Sequence, residues 1–167
     1  MQDRSSQECD PRKELERLQA ALAERLVYPD RPVDTTNAVL LSLDRQELDR
    51  AAQTLVHKRI SQTRGILPQT VRQLGKEYRQ LFREYASCHH YDGHRAILLD
   101  AAGFADWLLV RLANSPPTQS DTQGLVDALR WERELCLARL SRFRVRRVRV
   151  GQNVRWVFRF GKYLRFW

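Results

Sequence analysis

From Asp10 onward, apolar residues recur every three or four positions, and the runs are separated by short breaks rich in proline and polar residues. Asp10 followed by Pro11 predicts a helix start, with an N-cap oxygen and a proline pre-set for the first helical position. Leu15, Leu18, Leu22 and Leu26 keep one face apolar to about Tyr28, and the two prolines of PDRPVDTT (29–36) end that helix in a linker. Asp44 with Glu47 has the spacing of a capping box, and Leu48, Ala51, Ala52, Leu55, Val56 and Ile60 follow at helical spacing. Gly65 is placed to end that helix as a left-handed cap. Pro68 opens a third helix, with Val71, Leu74, Tyr78, Leu81, Phe82 and Tyr85 on one face. Arg72, Lys76, Arg79 and Glu84 form its opposite, solvated face. CHHYDGH (88–94) reads as a loop, and AILLDAAGFADWLLVRLAN, apolar on most sides, as a central helix stopped by Asn114 and the SPP at 115–117. Ser120 with Gln123 predicts the cap of a fifth helix to about Ser141, burying Leu125, Ala128, Leu129, Cys136 and Leu140. The short connections predict a compact bundle of about five helices.

The period then changes. Val154, Trp156, Phe158 and Phe160 alternate with Arg155, Val157 and Arg159, the spacing of a half-buried strand. Phe143 and Val145 stand at odd positions and Val148 and Val150 at even ones, which predicts a β-bulge at Arg146–Arg147. Gly151-Gln152-Asn153 is hairpin-turn chemistry, and Gly161-Lys162 starts a second turn into Tyr163–Trp167. The fold class expected is therefore mainly α, with a short C-terminal antiparallel β hairpin or meander. Its organisation would be an N-terminal helix and linker (1–36), a helical bundle (37–141) and a basic aromatic β element (142–167) packed on the bundle. A hairpin alone is marginal in water, so the aromatic face is expected to pack on the bundle or to pair with another chain.

Charge sharpens the interest of that tail. Of the net +9, all and more resides from Leu135 onward, where ten Lys or Arg residues meet no acid; the preceding residues hold 19 basic and 20 acidic groups, a net of −1. Such segregation points to a polyanionic partner, nucleic acid or an acidic protein or peptide, with anionic lipid a further class. Arg144, Arg146, Arg147, Arg149, Arg155, Arg159, Lys162 and Arg165 are the candidate phosphate contacts. Trp156, Tyr163 and Trp167 are the candidate stacking groups. The same alternation equally describes a sheet with a cationic solvent face that guards against edge pairing. Charge supplies affinity without telling bases apart, so sequence-specific reading is not implied.

Catalytic signatures are missing: the chain has no GxSxG, Walker A, GxGxxG or HExxH pattern, so neither catalytic residues nor a cofactor are expected. Cys9, Cys88 and Cys136 are widely spaced without a CxxC pair, which argues against a disulfide framework and fits a reducing compartment. Cys88, His89, His90, Asp92 and His94 crowd metal-ligand types into one loop, with His57 as the group that another helix would have to add. A polar interhelical loop is the favoured reading, and no metal is expected. Asp100 and Asp106 interrupt the apolar fourth helix, and a carboxylate buried there calls for an arginine from a neighbouring helix or the tail. With 43% hydrophobic residues a real core is expected, yet no apolar run reaches the roughly 18 residues of a membrane span. MQDRSSQECDPRKELERL carries charges where a signal peptide is apolar, so a cytoplasmic location is expected.

LPQTVRQLGKEYRQLFREYA (67–86) followed by DAAGFADWLL (100–109) resembles a helical family catalogued under a DNA-binding label, whose relatives include the partner chain of the methanobactin-forming iron enzyme. The residues carrying the resemblance are the Leu74-Gly75 pair, Tyr78, Phe82, Tyr85, Asp100 and Phe104. It implies a non-enzymatic accessory protein that presents a peptide or protein partner to a separate biosynthetic enzyme. The first 35 residues and the basic tail depart from that family's pattern. The leading expectation is a nucleic-acid-binding protein without catalytic activity that uses its C-terminal β-ribbon; the accessory protein is the alternative.

Overall fold

The computed structural model describes residues 10–28, 44–114 and 122–167. Six helices are found among them: α1 (Pro11–Val27), α2 (Arg45–Ile66), α3 (Pro68–Leu74), α4 (Glu77–Ala86), α5 (Ala96–Ala113) and α6 (Thr122–Leu140). The strands β1 (Phe143–Val150), β2 (Asn153–Phe160) and β3 (Tyr163–Phe166) follow as an antiparallel sheet in sequence order. The mainly α bundle with a small C-terminal meander is thus the fold. The linker at 29–36, the stop at 115–117 and the Ser120 cap lie outside the described residues.

The chain divides into two compact units, Met1–Leu55 and Val56–Trp167. In the first, the Asp10 carboxylate accepts from the Arg12 amide at 3.1 Å, and none of α1 is fully buried. Asp44 likewise caps α2 by accepting from the Gln46 amide at 2.8 Å, and Arg25 pairs with Asp49 at 3.0 Å.

The second unit holds the main core. Tyr78, Phe82 and Tyr85 lie at i, i+4 and i+7 on α4, so one stripe of that helix is aromatic and buried. Phe104 of α5 receives it, with ring centroids 5.4, 5.2 and 5.7 Å away. Alanines 101, 102 and 105 surround Phe104 on α5 and are buried, as are Leu129 and Cys136 on α6. Burial pushes the Cys136 thiol up to about 12, so it remains a neutral thiol packed as a small apolar group. Tyr78 donates to the Thr63 hydroxyl at 2.8 Å, which in turn donates to the Arg59 carbonyl, so this buried polar chain is satisfied.

Two helix boundaries differ from the sequence expectation. Gly65 lies inside α2, which runs one residue further and stops before Pro68, whose nitrogen has no proton to continue the hydrogen-bond ladder. The single helix expected from Pro68 to about Ala86 is divided at Gly75, whose φ of 54° breaks the α conformation and lets its amide donate back to Val71.

Three buried acids of α6 tie other elements to that helix. Glu132 accepts from the Gln69 and Thr70 amides at 2.7 and 3.0 Å and so caps α3, which has no side-chain cap of its own. Asp127 accepts from the Gly151 amide at 2.6 Å and anchors the first hairpin turn. Glu134 accepts from Arg144 on β1 at 2.7 Å and from its neighbour Arg133 at 2.8 Å. Asp100 of α5 is also buried and meets the Arg59 guanidinium as a two-pronged pair at 2.7 and 2.8 Å, while Arg59 also donates to the His89 carbonyl. This is the arginine that a carboxylate in the apolar helix called for. Asp106 is exposed and pairs with Arg133.

Two substitutions test this packing. A methyl group at Gly103 would overlap the Tyr85 hydroxyl and sit 2.9 Å from that of Tyr91, so G103A is expected to lower unfolding free energy by about 1–3 kcal/mol in denaturant titrations. D100A strands a largely buried guanidinium and is expected to cost about 3–5 kcal/mol, whereas R59M combined with D100L should recover most of that loss.

Candidate nucleic-acid interface

Both hairpins turn through two residues with glycine first, Gly151 at φ 59° and Gly161 at φ 56°, a conformation that suits the twist of paired strands. The register of β1 on β2 runs unbroken from Phe143 opposite Phe160 to Val150 opposite Asn153. There is therefore no bulge at Arg146–Arg147. The change of parity that suggested one has another cause: apolar residues stand on both faces of β1.

Register assigns every side chain to a face, because directly opposed residues in an antiparallel pair share one. The face toward α6 carries Arg144, Arg146, Val148 and Val150 from β1. From the other strands it carries Asn153, Arg155, Val157, Arg159, Leu164 and Phe166. Val148 and Val157 are buried against Trp131 and Ala138. The Phe166 ring meets Trp131 edge-on at 5.9 Å, and the Arg155 guanidinium lies 5.3 Å from the Trp131 ring centroid.

The outer face carries Phe143, Val145, Arg147 and Arg149 from β1, Val154, Trp156, Phe158 and Phe160 from β2, and Tyr163 and Arg165 from β3. Trp167 joins it, since its backbone exchanges two hydrogen bonds with Trp156 at 3.0 and 3.1 Å. The sequence expectation was that the aromatic face packs on the bundle or pairs with another chain, and the first of these does not occur. Phe160, Tyr163 and Trp167 are 73%, 62% and 80% exposed, while Val157 on the other face is fully buried. The reason is complementarity. The α6 surface offers Glu134, the Trp131 ring and the small Ala138, which suit an arginine, a guanidinium plane and two valines better than a row of large rings.

The outer residues form cross-strand rows. Phe143, Phe160 and Tyr163 make one; Val145, Phe158 and Arg165 the next; Arg147, Trp156 and Trp167 the third. Phe143 and Phe160 meet edge to face at 6.2 Å, and Trp156 and Phe158 stack at 5.9 Å with their planes 22° apart. Successive rows are two residues apart, about 7 Å along the strand.

Of the residues singled out from sequence, Arg147, Arg149, Arg165, Trp156, Tyr163 and Trp167 come together on this outer face. Lys162 sits in the second turn with its ammonium 5.4 Å from the Tyr163 ring centroid. Arg144, Arg146, Arg155 and Arg159 belong to the opposite face. Arg144 is engaged by Glu134, Arg155 lies over Trp131, and Arg159 is half-buried and donates to the Lys162 carbonyl at 3.2 Å. Arg146 is exposed at the sheet's rim. Among the described residues, Arg144 alone of these eight cations forms an ion pair. Phe143, Phe158 and Phe160 were not singled out. Their signal was present, since all three lie on the same face as Trp156 once the register is known.

Two histidines of the loop at 88–94 have polar partners. His89 stacks on Tyr85 at 4.5 Å and contacts its carbonyl, and His90 pairs with Asp92 at 2.7 Å. His57 faces Arg83 at 2.8 Å. Among the described residues, no three His, Cys, Asp or Glu side chains are grouped to hold a metal ion, and no helix is long and apolar enough to cross a membrane.

Residues 41–110 match the family described as "SCO6045-like, C-terminal domain", a match that ends before α6 and the sheet. It encloses the segment 67–109 on which the expected resemblance was based, and its description names neither DNA binding nor methanobactin biosynthesis. No curated protein and no solved structure matches the chain.

Proposed function

We propose that the protein acts by binding rather than by catalysis, and that it takes single-stranded nucleic acid on the outer face of its C-terminal sheet in the cytoplasm. One observation carries this reading: six aromatic rings in three cross-strand rows are exposed on a face whose only charged groups are Arg147, Arg149 and Arg165. Unstacked bases lie on such rings, and guanidinium groups between them reach the phosphates. The row spacing suits an extended strand with one base per row. A duplex, whose bases are already stacked, would gain only the charge term. The arginines on the inner face contribute to the field but not to stacking.

An accessory protein presenting an acidic peptide or protein partner to a biosynthetic enzyme is the second reading. The same face favours it, because Phe143, Phe160 and Trp167 are exposed apolar anchors as well as stacking planes.

Titration of labelled single-stranded DNA, single-stranded RNA and duplex at several salt concentrations separates these readings. Single strands are expected to bind more tightly than duplex and to quench tryptophan fluorescence. Replacing Trp156 and Phe160 with alanine should weaken single-strand binding by at least about tenfold, given roughly 1–3 kcal/mol per stacked base. R147A with R149A should reduce the salt slope by about 1.4. Single-strand affinity equal in the wild type and the Trp156/Phe160 variant would reject the stacking face. A complex with an acidic peptide that is less salt-dependent than the single-strand complex would favour the accessory role.

A further inference from the structure

A second cationic surface lies away from the sheet. Arg64 near the end of α2, Arg72 on α3, Lys76 in the turn and Arg79 on α4 line one concave site of about 520 Å³ together with Ile60, Val71, Gly75 and Tyr78. The division of the third helix at Gly75 creates this arrangement. A continuous helix would carry Arg72, Lys76 and Arg79 along one convex stripe, whereas the break folds α3 and α4 around a hollow. Gly75, which also lines the hollow, has φ 54° and open space where a Cβ would stand.

The electrostatics of the site are one-sided. Its lining holds four cations and no carboxylate, and among the described residues none of the four forms an ion pair. Glu132, which lies near enough to act on Tyr78, is committed to the Gln69 and Thr70 amides and does not line the hollow. Four like charges around a concavity repel one another, and an anion with several charges relieves that repulsion. Arginine forks match phosphate oxygens in pairs, and lysine adds a point charge. The volume lies in the range of small-ligand sites and exceeds what one inorganic phosphate fills. The half-buried Val71, backed by the buried Ile60 and Tyr78, supplies a small apolar wall for a non-phosphate portion.

We propose that this hollow is a binding site for a small organic oligophosphate of nucleotide size, with Arg64, Arg72, Lys76 and Arg79 on its phosphates and Val71 against its uncharged part. It is independent of the sheet and of the nucleic-acid reading.

Calorimetric titration of the full chain with ATP, AMP, tripolyphosphate and a short single-stranded oligonucleotide tests it, using R72A/R79A and, for the sheet, W156A/F160A. ATP is expected to bind more tightly than AMP and to lose about tenfold or more in affinity in R72A/R79A, two exposed positions whose truncation leaves the core intact. W156A/F160A should bind ATP as the wild type does, whatever becomes of its oligonucleotide affinity. Tripolyphosphate binding more weakly than ATP would support the apolar wall. Absence of ATP binding, ATP affinity unchanged in R72A/R79A, or dependence of that site on the oligonucleotide alone would each overturn the proposal.

Discussion

The carboxylates of α6 decide which way the C-terminal sheet faces. Asp127 fixes the first hairpin turn through the Gly151 amide, and Glu134 fixes β1 through Arg144. Between these two tethers, Trp131 and Ala138 receive Val148 and Val157. Because side chains alternate strictly along a strand, holding Arg144 and Val148 inward sends Phe143, Val145 and Arg147 outward, and register transmits that choice to β2 and β3. Reversing the sheet would withdraw Arg144 from Glu134 and leave a nearly buried carboxylate with Arg133 alone, a cost that burying more aromatic surface would have to exceed.

The result is a face that a protein in isolation has reason to cover. Phe143, Phe160 and Tyr163, all more than half exposed, form one row, and Phe158 and Trp156 continue it to Trp167, itself 80% exposed. Contiguous exposed aromatic surface marks an interaction site. Its chemistry narrows the partner: no acid accompanies the rings, and the arginines at Arg147, Arg149 and Arg165 stand in the same rows as Trp156, Val154 and Phe158. A neutral apolar partner would leave those guanidinium groups poorly solvated at the contact. The strand of bases and phosphates proposed above would satisfy both kinds of group at once.

Much of this fold is legible in the sequence because helical periodicity and end signals are local. The caps at Asp10 and Asp44, the aromatic stripe of α4, the demand of Asp100 for an arginine and both glycine-led turns follow from neighbouring residues alone. The break at Gly75 was obscured because Val71, Leu74, Tyr78 and Phe82 keep helical spacing across it. The sidedness of the sheet was not legible for a different reason. Alternation shows which residues share a face but not which face is buried, and hydrophobicity favours turning the larger rings inward. The deciding contacts, Glu134 to Arg144 and Trp131 to Arg155, join residues on different elements, and no local pattern announces them.

The same long-range contacts change what net charge means. Before Leu135 the sequence is nearly neutral, which suggests a surface without electrostatic character. Glu132 and Asp127, however, are held by hydrogen bonds from backbone amides rather than paired with lysine or arginine, and Glu134 lies mostly buried between two arginines. Each acid withdrawn from solvent onto amides leaves a cation elsewhere without its statistical counterpart. Arg64, Arg72, Lys76 and Arg79 belong to that surplus, on a stretch, 64–79, that holds Glu77 as its one acid. The acids that orient the aromatic face thus also leave the helical part more cationic at its surface than its composition implies.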